Sequence, residues 1–122
     1  MTTPATVVPL GETALRAAAV DGLRHASRLI AQFGWEPATP DGPTLHILGH
    51  LRAAARSSAA YHRERADDVR ALMGYLLVAS LETEIFLWED EPGRTVADVR
   101  TALTAAADKA THRNRTPAPA AG

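Results

Sequence analysis

The sequence predicts an all-α fold, a compact bundle of four to five helices with an irregular joint around residues 82–94. Three observations carry this expectation. Apolar residues recur near a 3.6-residue period along most of the chain, which gathers them on one face of each helix. Alanine, the strongest helix former, supplies 25 of the 122 residues. Proline and glycine concentrate where that period breaks, so they punctuate helices rather than interrupt them. No internal repeat or sustained heptad competes with a compact bundle.

The elements follow in chain order. Pro4 and Pro9 argue against a helix before Leu10, so residues 1–9 are expected to form a flexible tail. No basic stretch there precedes a long apolar run, which argues against a secretory signal. The first helix is expected from about Glu12 to Phe33, with Leu15, Ala19, Leu23, Ala26, Leu29, Ile30 and Phe33 facing inward. Gly34 stands where a left-handed C-terminal glycine would end it. Gly22, inside the helix, costs about 1 kcal/mol against alanine and suggests a close helix crossing.

Residues 35–43 hold three prolines and a glycine and read as a loop. Thr44 is a plausible N-cap for a second helix over about Leu45–Ser57, whose inner stripe would be Leu45, Leu48, Leu51, Arg52 and Ala55. The segment 57–66 reads either as a link or as the start of one long helix from about Ala59 to Leu81. Asp67 and Asp68 suit a helix start, and Val69, Leu72, Met73, Leu76 and Leu77 form an apolar stripe behind them. In the joint, Ile85–Trp88 fits either a helical turn or a short extended piece, and Pro92-Gly93 signals a turn. Thr95 and Asp98 have capping-box spacing for a last helix faced by Val96, Val99, Leu103, Ala106, Ala107 and Ala110. The ordered domain is thus expected over 10–111. Residues 112–122 are expected to be a disordered Pro/Ala tail, whose His112, Arg113 and Arg115 are either simply solvated or a weak anion contact.

Composition excludes several functions. The chain has no cysteine, so disulfides, thiolate metal sites and thiol nucleophiles are out of reach. Thirteen basic and fourteen acidic residues leave no bulk charge calling for nucleic acid or anionic lipid. No apolar run approaches the roughly 20 residues that span a bilayer. A cytoplasmic protein without a membrane segment, cofactor or metal is expected.

Three stretches resemble a known family: Leu-Ile-Ala-Gln-Phe-Gly-Trp at 29–35, Asp-Gly-Pro-Thr-Leu-His-Ile-Leu-Gly-His-Leu at 41–51, and Leu-Trp-Glu-Asp-Glu-Pro-Gly-Arg-Thr-Val-Ala-Asp-Val at 87–99. They resemble small uncharacterised helical proteins of actinobacteria and their phages, over about residues 12–108. The last stretch is the most specific. Two departures stand out: Glu89 replaces a usual asparagine, and His46 and His50 stand where many members have cysteine and alanine. The resemblance implies the fold and source, and it implies no activity.

Three groups of residues could carry chemistry. His46 and His50 have the i, i+4 spacing that lets two imidazoles reach one ligand, with His62, Glu82 or Glu84 as possible completions. No glutamate sits inside the spacing, so the H-E-x-x-H metalloprotease pattern is absent. The bland alternative is two histidines with structural contacts. Glu82, Glu84, Glu89, Asp90 and Glu91 crowd around Phe86 and Trp88, and adjacent carboxylates can form acid/base pairs. Against that stands a solvated acidic turn in which Glu89 or Asp90 pairs with Arg94, and Trp88 anchors the core. Arg52, Arg56, Arg63, Arg65 and Arg70 form a basic series, interleaved with Glu64, Asp67 and Asp68, which favours an ion-paired face over a nucleic-acid stripe. Ser57-Ser58 near His62 lacks the glycine-flanked elbow of a serine hydrolase.

The expectation from these residues is a small non-catalytic binding or accessory protein, acting on a protein partner or small ligand through Trp35, His46, His50, Trp88, Glu89, Asp90 and Arg94. The alternative is a small cofactor-independent tailoring enzyme with His46 or His50 as acid or base and Asp90 or Glu89 orienting it. A nucleic-acid-binding regulator comes third.

Overall fold

The computed structural model describes residues 3–37 and 45–115, with side chains placed over 13–37 and 45–111. Five helices follow in order: α1 (Thr3–Phe33), α2 (Ile47–His62), α3 (Ala66–Leu81), α4 (Ile85–Glu89) and α5 (Val96–Arg115). The described residues contain no strand. α1 packs on α5, α2 and α3, while α3 also packs on α2, α5 and the short α4. The all-α bundle expected from the hydrophobic period is the fold observed.

Alanine faces let these helices approach closely. Ala18, Ala19 and Ala26 of α1 meet Ala54, Ala55 and Ala59 of α2 and Ala106, Ala107 and Ala110 of α5 in the core. Leu23, Ile30, Leu51, Met73, Leu77 and Leu103 supply its bulk. At Gly22 the closeness is specific, since a Cβ there would lie 2.6 Å from the Met73 sulfur. The expected crossing therefore exists, and Gly22 is what admits Met73.

Several boundaries differ from expectation. α1 begins at Thr3, well before Glu12, so the expected N-terminal tail is helical from that residue. Pro4 sits in the first turn, where its missing N–H costs nothing, and Pro9 forgoes one intrahelical bond. α5 continues past Thr111 to Arg115, into the expected tail, whose remainder (116–122) lies outside the described residues. Thr44 also lies outside them. The observed cap of α2 is His46, whose Nδ1 accepts the Gly49 N–H at 3.0 Å.

The 57–66 segment is neither a link nor part of one long helix. α2 runs through it to His62 and stops at Arg63, whose φ of 59° is left-handed. The Glu64 N–H then closes on the Ala59 carbonyl at 2.9 Å, a Schellman-type stop without glycine. Ile85–Glu89 resolves as a helical turn. Thr95 and Asp98 form the expected capping box, with reciprocal bonds of 3.0 and 3.1 Å.

Two inner faces are corrected. Phe33 is 58% exposed rather than buried. On α2 the buried stripe is Ile47, His50, Leu51, Ala54, Ala55, Ser58 and Ala59, which leaves Arg52 in solvent. A stripe built on Leu45 and Leu48 would have pointed Arg52 inward. The observed rotation buries small alanines against α1 instead.

Candidate functional site

The predicted site residues fall into two groups, one around Glu89 and one around Trp88. Glu89 turns inward and is only 1% exposed. Its Oε2 accepts the Trp35 indole N–H at 2.8 Å and the Ile47 backbone N–H at 2.7 Å. Ile47 opens α2, so the carboxylate satisfies a free helix N–H and faces the positive end of the helix dipole. One side chain thus joins the segment after α1, the start of α2 and the end of α4. Glu89 Oε1 is buried without a hydrogen-bond partner among the described residues.

His46 and His50 each place one ring nitrogen in a separate internal bond. His46 caps its own helix and meets Phe86 edge-on, with ring centroids 6.4 Å apart. His50 is buried and its Nε2 lies 2.8 Å from the Gly34 carbonyl, which only accepts, so this nitrogen carries the proton. Trp35, His46, His50 and Glu89 therefore gather around the start of α2 as a fastening. Glu89 Oε2, the Trp35 indole N–H, His46 Nδ1 and His50 Nε2 are each used in an internal bond, while Glu89 Oε1 is left buried without a partner among the described residues.

Trp88 and Arg94 form the second group. The Arg94 guanidinium stacks 3.7 Å above the Trp88 ring, and its Nε donates to the Trp88 carbonyl at 3.0 Å. This replaces the expected ion pair with Glu89 or Asp90, because Glu89 is drawn inward and a cation gains on an aromatic face what it lacks in a carboxylate. Asp90 is exposed and ends α4. Trp88 and Arg94 border a cavity of ≈ 320 Å³ shared with Ser80, Asp98, Thr101 and Lys109.

Polar side chains also converge between α1 and α2. These helices run antiparallel, laced by the Ser58 hydroxyl donating to the Ala18 carbonyl at 2.6 Å and by the His50–Gly34 bond. At one end His62 Nε2 meets Asp21 Oδ2 at 2.6 Å, so Asp21 rather than Glu82 or Glu84 is the carboxylate beside His62. A cavity of ≈ 440 Å³ opens there, lined by Asp21, Arg24, His25, Arg28, Ser57, Ser58, Tyr61 and His62. A second of ≈ 320 Å³ continues along the same helices, lined by Leu29, Phe33, Leu45, His50, Arg52 and Arg56 among others. Arg28 of the first precedes Leu29 of the second in sequence, and Arg56 of the second precedes Ser57 of the first.

Of the lining groups, Asp21 is held by His62, Arg24 by Asp108 at 2.9 Å, and the Ser58 hydroxyl by α1. Arg28, Arg52 and Arg56 are exposed and pair with no carboxylate among the described residues. Within the basic series, only Arg65 reaches an interleaved acid, Asp68, at a marginal 4.0 Å.

Sequence reasoning assigned no site role to Asp21, Arg24, His25, Arg28 or Tyr61. A signal existed: residues 22–35 and 44–63 contain no aspartate or glutamate yet hold five arginines. Positions 21, 24, 25 and 28 also share one helical face. Among the described residues, no three His, Asp or Glu side chains gather as a metal site, and no helix is long and apolar enough to cross a membrane.

No curated protein and no solved structure matches the chain. A family model does, over residues 14–109, which runs from Ala14 of α1 to Lys109 of α5. The chain therefore belongs to DUF6197, a family of unknown function.

Proposed function

We propose that this protein is a small non-catalytic binding or accessory protein whose ligand site is the groove between α1 and α2. The observation that supports this most is the contrast in commitment. Around Trp35, His46, His50 and Glu89 one polar atom of each side chain is used by the fold, whereas the groove presents three arginines that pair with no carboxylate among the described residues, beside imidazoles and a tyrosine. A concave surface with a few convergent polar groups is the usual form of a small-ligand site. A cytoplasmic location and an actinobacterial or phage source belong to the same reading, on the Phe-Gly-Trp and Gly-Arg-Thr motifs.

Backbone amide shifts of the full chain test it, recorded against a fragment set of small acids, amines and neutral aromatics. Shifts should concentrate on residues 24–33 and 49–62. Shifts confined to Trp88, Arg94 and Lys109 would move the site to the other side of the bundle and overturn the reading.

One observation favours a second reading, acid/base catalysis. His62 and Asp21 form a carboxylate–imidazole pair at the mouth of the larger cavity. Asp21 would orient the ring through Nε2 and leave Nδ1 to take a proton from a substrate. Hydrolysis of p-nitrophenyl acetate, lost in His62→Ala, supports this reading. Equal rates for His62→Ala and the unaltered chain remove it.

A further inference from the structure

We propose that the α1–α2 groove takes a small amphipathic anion, its phosphate or carboxylate head held by Arg28, Arg52 and Arg56 and its apolar body lying along Leu29, Phe33 and Leu45. This rests on the groove being the ligand site and adds the chemistry of the ligand. The first ground is charge. Arg24 and Arg28 stand one turn apart on α1, and Arg52 and Arg56 one turn apart on α2. Like charges at that spacing repel, and the antiparallel packing sets the pairs along the same two helices, Arg24 and Arg28 in the larger cavity with Asp21, and Arg52 and Arg56 in the second. The intervening helix stretches hold no carboxylate to relieve them. Only Arg24 finds a carboxylate, on α5. An anion seated in the groove would supply the counter-charge that the fold omits, and guanidinium groups suit the flat or tetrahedral oxygens of carboxylate and phosphate.

The second ground is apolar. Phe33 is 58% exposed at the end of α1, and with Leu29 and Leu45 it lines the same depression as Arg52 and Arg56. Among the described side chains of α1, Phe33 is the large apolar one left mostly in water. A ligand with charge alone would leave this end bare, and a purely apolar one would leave the arginines unmatched. The combined volume of the two depressions suits a head group and a short chain or ring, not a folded partner.

The test titrates the full chain by calorimetry with octyl phosphate below its micelle concentration. Inorganic phosphate and octanol serve as the head-only and body-only comparisons, and sedimentation with phosphatidylglycerol vesicles tests a bilayer source. Octyl phosphate should bind at least tenfold more tightly than either half. Arg28→Gln and Arg56→Gln should each weaken it about tenfold, and Phe33→Ser should weaken octyl phosphate but not phosphate. Arg63→Gln removes the same charge outside the groove and should change nothing. Circular dichroism should show all variants folded, since these side chains are exposed. Octanol binding as tightly as octyl phosphate, or loss of affinity in Arg63→Gln equal to that in Arg28→Gln, would overturn the proposal while leaving the groove a site for neutral or non-specifically attracted ligands. Sedimentation with vesicles without octyl phosphate binding would overturn the small-ligand source. Absence of any groove response to the wider fragment set would instead sink the groove itself.

Discussion

The start of α2 and the groove along its side use the same helix in opposite ways. At the start, a carboxylate, an indole and an imidazole are each spent on an internal bond: Glu89 to Trp35 and Ile47, His50 to Gly34. Along the side, Arg28 lines one cavity and Arg52 and Arg56 the next, and none of the three pairs with a carboxylate among the described residues. A buried polar group must be satisfied or it costs stability, whereas an exposed arginine loses little by waiting in water. Residues that look chemical in sequence can therefore be structural, and residues that look like a solvated face can be the free ones.

Substitutions can break or sharpen this contrast. The largest effect is expected for Glu89→Ala, which strips the acceptor from two buried N–H groups and should cost about 3 kcal/mol in urea unfolding. Glu89→Gln keeps an acceptor, loses the charge at the helix end and should cost about 1 kcal/mol. Equal losses for the two would mean that the bonds to Trp35 and Ile47 do not fasten the joint. Next comes Gly22→Ala, which drives a Cβ into buried Met73. Overpacking of about 1–3 kcal/mol exceeds the gain of up to about 1 kcal/mol in helix propensity, so net destabilisation is expected. Much of it should vanish in the Gly22→Ala/Met73→Ala double variant, measured against Met73→Ala alone.

Ser58→Ala should cost about 1 kcal/mol by removing the bond that laces α2 to α1 beneath the groove. Its thermal midpoint should fall without any shift in the Trp88 environment, which near-ultraviolet dichroism reads. The smallest effect is Arg28→Gln, which relieves repulsion with Arg24 and should stabilise by a few tenths of a kcal/mol. Destabilisation on that substitution would show that Arg28 has a structural partner and would close the gap between the two regions.

Much of the fold was legible in the residues. Val69, Met73, Leu76 and Leu77 mark the buried face of α3 by period alone, and Thr95 with Asp98 announces the start of α5. Gly34 ends α1 with a φ of 92°, as its position after the last apolar residue suggested. The stop of α2 was not legible, because Arg63 and not glycine adopts the left-handed conformation there. Nor was the role of Glu89. Nothing among the five acids of residues 82–91 distinguishes the one that turns inward, since that depends on which helix end lies opposite.

The sequence by itself determined the all-α class, the alanine-lined helix faces and the two turns that break the period, because those depend on neighbours within a few residues. Only the tertiary structure decided which charges are paired. Arg52 and Arg56 lie close in sequence to Glu64, Asp67 and Asp68, yet they line a cavity with Leu29 and Phe33 of α1 and pair with none of these acids. Electrostatic pairing follows distance in space, and the distances that matter here arise only when α1 and α2 pack.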